Sequence, residues 1–216
     1  ALFEDASQRI WIGTSSGKIF YLDKSRKIHP FDVDEGCPQK SISAIVQDPQ
    51  GNIWFSTYGE GAYVYTGSRL FNFDSEDGLS GEDIYTMICT PGGEVWLGTD
   101  DGITICTFEK ETKRIRQLGL KDGLPDQIIT ALKSDQKGNV WIGTFEFGVV
   151  FFDAATHRIS RPFETNQMDK ITSFAIFDEQ EIWIGTNAQG VWRHSPGDAF
   201  AKQLVGLQNF KQGQVS

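Results

Sequence analysis

The chain has 216 residues with 29 acids against 20 bases, a formal charge of −9, which argues against a nucleic-acid surface built on clustered Lys and Arg. That length supports one domain or two small ones with a sizeable core. The three cysteines (Cys37, Cys89, Cys106) form no CxxC, so neither a disulfide framework nor a zinc site is indicated, and the longest apolar run, Val149 to Phe152, is far short of the roughly 18 residues of a membrane helix.

In chain order, one short string recurs five times: Ile10-Trp11-Ile12-Gly13-Thr14, Ile53-Trp54-Phe55-Ser56-Thr57, Val95-Trp96-Leu97-Gly98-Thr99, Val140-Trp141-Ile142-Gly143-Thr144 and Ile182-Trp183-Ile184-Gly185-Thr186. The Trp-to-Trp intervals are 43, 42, 45 and 42 residues. Upstream stands an Ile-[Ser/Thr]-[Ala/Ser]-apolar stretch, such as Ile42-Ser43-Ala44-Ile45, followed by a turn such as Asp48-Pro49-Gln50-Gly51-Asn52. Downstream, a Gly opens a third apolar stretch, as in Gly148-Val149-Val150-Phe151-Phe152, and a fourth closes the unit, as in Leu70-Phe71-Asn72-Phe73 or Ile159 to Phe163. Four β-branched and aromatic runs per unit, separated by Gly, Asn, Asp and Pro turns, read as four strands A to D. A period near 42 with four strands is the signature of a β-propeller blade.

The expected fold is therefore all-β: a single propeller domain over 1–216, with five four-stranded antiparallel blades of about 43 residues each. The Trp strand is apolar on both faces, which fits a sheet sandwiched between neighbours. The Trp row (Trp11, Trp54, Trp96, Trp141, Trp183) then reads as packing between blades rather than a stacking platform for ligands. The Gly after the aliphatic residue, replaced by Ser56 in the second unit, removes a side chain where blades come close. Joined on paper, Val215-Ser216-Ala1-Leu2 reproduces the first-strand motif, and the wrapped Trp183-to-Trp11 interval is 44 residues. A closed five-bladed ring with both termini in one shared inner strand is the favoured reading; five blades cut from a larger propeller is the other.

Strand order assigns the faces. The A–B and C–D turns share one face, and the B–C and D–A connections share the other. The A–B turns are short and stereotyped, which serves register. The D–A connections are the longest, and long loops on a rigid scaffold are where function usually sits. Their recurring Asp77-Gly78-Leu79, Asp122-Gly123-Leu124-Pro125 and Glu35-Gly36-Cys37-Pro38 read as turn formers, with the Leu packed into the blade. The B–C loops differ from copy to copy: Ser15-Ser16, Tyr58-Gly59-Glu60, Asp100-Asp101, Phe145-Glu146-Phe147 and Asn187-Ala188-Gln189. A scaffold requirement would repeat; a binding surface varies. Tyr58, Phe145 and Phe147 offer aromatic rings near Glu60, Asp100, Asp101, Glu146, Asn187 and Gln189, a set suited to sugar rings and their hydroxyls; the alternative is that Phe145 and Phe147 fold back under the loop. Sixteen of the 29 acids fall in the D–A and B–C segments, so this face should be acidic and favour cations, basic peptides or neutral polar molecules.

Other chemistry finds little support. Gly13-Thr14-Ser15-Ser16-Gly17 matches G-x-S-x-G, but it lies between two strands where a nucleophile elbow needs a strand-to-helix turn, and Asp100 takes the slot of Ser15 in the third unit. His29, His157 and His194 belong to different blades and the other face. Asp32-Val33-Asp34-Glu35-Gly36 resembles the start of a calcium loop but lacks its Gly at six and Glu at twelve. No catalytic residue, metal site or cofactor is assigned.

The run Asp122 to Leu132 through Gly138-Asn139-Val140-Trp141-Ile142-Gly143-Thr144 resembles the two-component regulator propeller repeat, and all five units share the likeness. The usual Thr-x-x-Gly-Gly of that repeat becomes Thr99-Asp100-Asp101-Gly102 or Thr144-Phe145-Glu146-Phe147-Gly148 here. The resemblance implies the periplasmic sensor region of a bacterial hybrid histidine kinase, with the signalling output outside this chain. The leading expectation is a non-catalytic sensing module that binds a small polar ligand, such as an oligosaccharide, or a partner domain. A protein–protein scaffold is the alternative, and a propeller lyase or hydrolase the third.

Overall fold

Five four-stranded antiparallel sheets follow one another along the chain, each with its strands paired in sequence order. The computed structural model describes residues 1–31, 36–162, 168, 170–177, 181–195, 197–198 and 201–204. Blade 1 comprises β1 (Leu2–Glu4), β2 (Ile10–Gly13), β3 (Ile19–Leu22) and β4 (Ile28–Pro30); blade 2, β5 (Ile42–Gln47), β6 (Ile53–Thr57), β7 (Ala62–Tyr65) and β8 (Leu70–Phe73). Blade 3 holds β9 (Ile84–Cys89), β10 (Val95–Thr99), β11 (Gly102–Glu109) and β12 (Thr112–Leu118). Blade 4 holds β13 (Ile129–Ser134), β14 (Val140–Thr144), β15 (Val149–Asp153) and β16 (Arg158–Ser160); blade 5, β17 (Ile171–Phe177), β18 (Glu181–Thr186), β19 (Val191–His194) and β20 (Lys202–Gln203).

The Trp strands β6 and β10 are buried along their whole length, as a sheet covered on both faces requires. Three of the Trp residues lie buried against the next blade: Trp11 clusters with Ile53 and Phe55, Trp54 with Val95 and Leu97, and Trp96 with Val140 and Ile142. Blades meet closely because the motif glycine carries no side chain. A Cβ on Gly13 would stand 2.5 Å from Ile42 Cγ2, and one on Gly143 2.5 Å from Ile171 Cγ2, both in the following blade.

Two hydrogen-bond devices explain the rest of the repeat. At the A–B turn, the Asp48 carboxylate accepts from the backbone N–H of Gln50 and Asn52, from Asn52 Nδ2, and from the Trp54 indole Nε1 at 2.9 Å. Asp5 does the same with Ser7, Arg9 and Trp11, the indole bond being 2.8 Å. Where Asp gives way to Thr90 or Phe177, a Glu four residues on takes over: Glu94 accepts from Trp96 and Glu181 from Trp183. A buried indole N–H needs such an acceptor, so the two positions trade the task.

At the B–C turn the motif Thr donates across to the strand that follows: Thr57 Oγ1 to Gly61 O, Thr99 to Gly102 O, Thr144 to Gly148 O and Thr186 to Gly190 O. The same hydroxyls accept a loop N–H from Glu60, Asp101, Phe147 and Gln189 respectively. The glycine at the exit takes positive φ, between 68° at Gly61 and 97° at Gly102, which is why Gly recurs there. In the D–A connections Gly78 and Gly123 also take positive φ, while Leu79 and Leu124 are buried, in line with the turn-former reading.

The blades contact one another in succession, first strand to first strand. Among the described residues, no comparable contact joins blade 1 to blade 5, and closure of the ring is not detected. Val215 and Ser216, on which the shared-strand reading depends, lie outside the described residues. Trp183 is 37% exposed, against 0–1% for Trp11, Trp54 and Trp96.

Candidate functional site

Two openings lie at opposite ends of the blade stack. On the A–B side, the ends of all five first strands (Phe3, Gln47, Cys89, Ser134, Ile176) and adjoining turn residues line a cavity of about 820 Å³. Several of its polar groups are already engaged. Asp48 and Asp135 hold their own turns, and Gln47 accepts from Ala6 N and donates to Gly51 O. Burial, helped by the Asp48 charge, pushes the Cys89 thiol up to about 11, so it is no ready nucleophile.

The B–C/D–A side is different. Tyr58, Tyr85, Ile128, Thr130, Phe145, Lys170, Ile171 and Thr172 line a smaller cavity of about 360 Å³. Two registers of the repeat supply it. The residue after the motif Thr contributes Tyr58 and Phe145, whose backbone N–H groups donate to Ser41 O and Ile128 O in front of the first strands. The residue after the first Ile of strand A contributes Tyr85, Thr130 and Thr172. Tyr58 and Tyr85 rings stand 6.0 Å apart at 52°, and Lys170 Nζ lies 5.3 Å from the Phe145 ring centroid. Large aromatic surface remains open: Tyr58 is 43% exposed, Phe145 40% and Phe147 47%. Partial burial raises the pKa of the Tyr85 phenol, and Asp100, Asp83 and Tyr58 beside it act in the same direction. The phenol is thus a neutral donor and acceptor at physiological pH, flanked by two carboxylates.

Of the residues singled out in the sequence, only Tyr58 and Phe145 line this cavity. Asp100 stands close by, within electrostatic reach of Tyr85. Glu60 turns away and accepts from the backbone N–H of Gln39 and Lys40, at 2.8 and 3.1 Å, fastening the neighbouring D–A loop. Asp101 accepts from Gln127 Nε2. Glu146 is exposed, and its backbone N–H donates to Asp126. Asn187 is exposed with its N–H bonded to Lys170 O, and Gln189 receives Gln203 Nε2 on its carbonyl. Tyr85 and Lys170 were not read from the sequence. Tyr85 stands where other copies have Ser43, Thr130 and Thr172, and that break in the repeat was the available signal. Asp32 to Glu35, the calcium-like segment, lie outside the described residues. Among the described residues, no group of three or more His, Cys, Asp and Glu side chains could hold a metal ion, and no helix is long and apolar enough to cross a membrane.

Successive four-stranded antiparallel blades with a variable mouth at one end define a β-propeller. Residues 38–59 and 123–146 match the family described as Two component regulator propeller. The fold is similar to the extracellular domain of the putative hybrid two component system BT3049 from B. thetaiotaomicron, with a TM-score of 0.76 and 24% identity over 91% of this chain and 27% of that one. The corresponding domain of BT4673 from the same organism gives 0.77 and 22%, over 94% and 29%. Virginiamycin B lyase from Staphylococcus aureus shares the fold at 0.74 with 13% identity, over 94% and 69%. The chain thus spans less than a third of the length of the two extracellular domains. Among curated proteins none matches the chain.

Proposed function

We infer that this chain is an extracytoplasmic ligand-sensing propeller of a two-component signalling protein. It binds a small polar ligand, such as an oligosaccharide, at the B–C/D–A mouth and has no catalytic activity of its own. The observation that carries this reading is the convergence of Tyr58, Tyr85 and Phe145 on one 360 Å³ cavity edged by Thr130, Thr172 and Lys170. Open aromatic rings offer stacking faces for the C–H side of a sugar, and the hydroxyls and ammonium group take up its polar edge. The repeat family and the likeness to extracellular domains of putative two component systems support the location and the signalling context.

A thermal-shift screen with neutral, N-acetylated and uronate-containing oligosaccharides tests the ligand class. A saccharide that raises the melting temperature of the wild type, and does so no longer for Tyr58→Ala, supports the reading. No shift with any saccharide would sink it. The acid-rich loops favour a second reading, a scaffold that docks a basic partner; association of that kind should weaken steeply with added salt, whereas stacking of a neutral sugar should not.

A further inference from the structure

Around the B–C/D–A mouth, the scaffold uses some charges and leaves others. Asp74, Asp101, Asp122 and Asp126 each accept a hydrogen bond that holds a loop. The side chains of Asp83 and Asp100 accept none among the described residues, and Lys170 Nζ has neither a hydrogen-bond nor an ion-pair partner there. All three stand around the 360 Å³ cavity, on blades 3 and 5, with blade 4 between them.

Blade 3 brings the two carboxylates to one end, beside Tyr85. Asp83 pairs through its backbone with Tyr58, and a Cβ on Gly59 would stand 3.6 Å from its Oδ1. Asp100 follows the motif Thr, at the register position of Tyr58 and Phe145. Gly81 leaves the room this carboxylate fills, since a Cβ there would collide with Asp100 Oδ1. Both charges act on the Tyr85 phenol, whose ring stands 6.0 Å from that of Tyr58. At the other end, half-buried Lys170 lies on the side of blade 5 that meets blade 4, its Nζ 5.3 Å from the Phe145 ring centroid. Thr130 Oγ1 of blade 4 donates to Ile171 O and fastens the two blades. The cavity thus has an acidic end and a basic end, joined by aromatic surface, and the opposite charges do not pair with each other.

Resting on the reading of this mouth as a ligand site, we propose that its ligand is a saccharide unit carrying both a free amino group and a carboxylate. The ammonium sits between the two tyrosine faces and the carboxylates of Asp83 and Asp100, and the carboxylate is taken by Lys170. Aromatic faces attract an ammonium, and hydrogen bonds between charged groups are stronger than those between neutral ones. A neutral sugar leaves both ends unanswered, and a sugar with one charge satisfies one end only. A polyanion meets Asp83 and Asp100, which turn it away.

Isothermal titration of the full chain with matched monosaccharides tests this: glucose, glucosamine, glucuronate and 2-amino-2-deoxyglucuronate. The last should bind at least about fivefold more tightly than either singly charged sugar, with glucose weakest. Lys170→Met should weaken glucuronate and the doubly charged sugar more than glucosamine. Asp83→Asn combined with Asp100→Asn should weaken glucosamine and the doubly charged sugar more than glucuronate. Tyr58→Ala should weaken every sugar that binds. Equal affinities for all the sugars, or charge variants that weaken them all alike, overturn the charge pairing and leave the mouth as a ligand site. So does a lack of binding by these probes where an oligosaccharide of the thermal-shift screen does bind. No binding by either set overturns the ligand site and the charge pairing together.

Discussion

The two mouths of the molecule are made from the same strands, yet they are built on opposite principles. On the A–B side, the described turn carboxylates have fixed duties: Asp5 and Asp48 each hold a turn and an indole, and Glu94 and Glu181 accept from the indole where the Asp is missing. On the B–C/D–A side, the Thr hydroxyl and exit glycine fix the backbone of the turn, so the side chains between them can differ from copy to copy, with Glu60 and Asp101 holding neighbouring D–A residues. Tyr58, Asp100, Phe145 and Asn187 all occupy one position of the repeat. The lesson is that the larger cavity is not the better candidate. Its Gln47, Asp48, Thr90 and Asp135 side chains are taken up by the scaffold, whereas the smaller mouth presents open aromatic rings.

The sharpest way to break this contrast is to remove the A–B hardware. Asp48→Ala leaves the Trp54 indole and Asn52 amide without their buried acceptor and should destabilise the chain by about 3 kcal/mol, read as a lower urea midpoint. Slightly smaller is Gly98→Ala, whose Cβ would stand 2.6 Å from Thr86 Cγ2 and 2.8 Å from Ile129 Cγ2; overpacking between blades should cost about 1–3 kcal/mol. Gly185→Ala, which meets only Ser173 and Thr172 of its own blade, should cost less, and equal losses would undo the account of the motif glycine.

Acid should weaken the same hardware. Burial works against the Asp5 charge, but the Trp11 indole and the Arg9 backbone and guanidinium outweigh it and hold the carboxyl below its ordinary value. A depressed folded-state pKa contributes stability above the unfolded value of about 3.9 that is lost as pH falls through the folded one. The stability gap between wild type and Asp5→Asn should therefore be constant near neutrality and close in acid. Smallest of all in stability is the mouth: Tyr58→Ala and Tyr85→Ala should shift unfolding by no more than about 0.5 kcal/mol, while weakening binding of a saccharide found in the screen by at least about tenfold.

Much of this was legible in advance. Five Trp strings, spaced almost evenly, reveal the blades, and Gly13 and Gly143 reveal close approach because nothing else explains a glycine inside an apolar strand. The turn motif around Gly78 and Gly123 was legible for the same reason: one residue type meets one backbone demand. The mouth was legible only in part. Tyr58 and Phe145 announce themselves as breaks in the B–C loop, but Tyr85 sits inside a strand, where an aromatic residue looks ordinary until the repeat register puts it in a Ser/Thr slot. Glu60 shows the opposite limit. A loop carboxylate looks available in sequence, yet the D–A loop of the preceding connection lies within reach and takes both its hydrogen bonds from Gln39 and Lys40. That juxtaposition arises between blades, and no local pattern encodes it.

The division of labour between the two mouths is best tested by mapping aromatic and methyl chemical shifts of the chain during titration with the oligosaccharide panel. The account predicts perturbations concentrated on the rings of Tyr58, Tyr85 and Phe145 and the methyl of Thr130, with Phe3 and Ile176 at the opposite cavity unmoved. Perturbations centred on Phe3 and Ile176 would contradict it, as would a spectrum left unchanged by every saccharide.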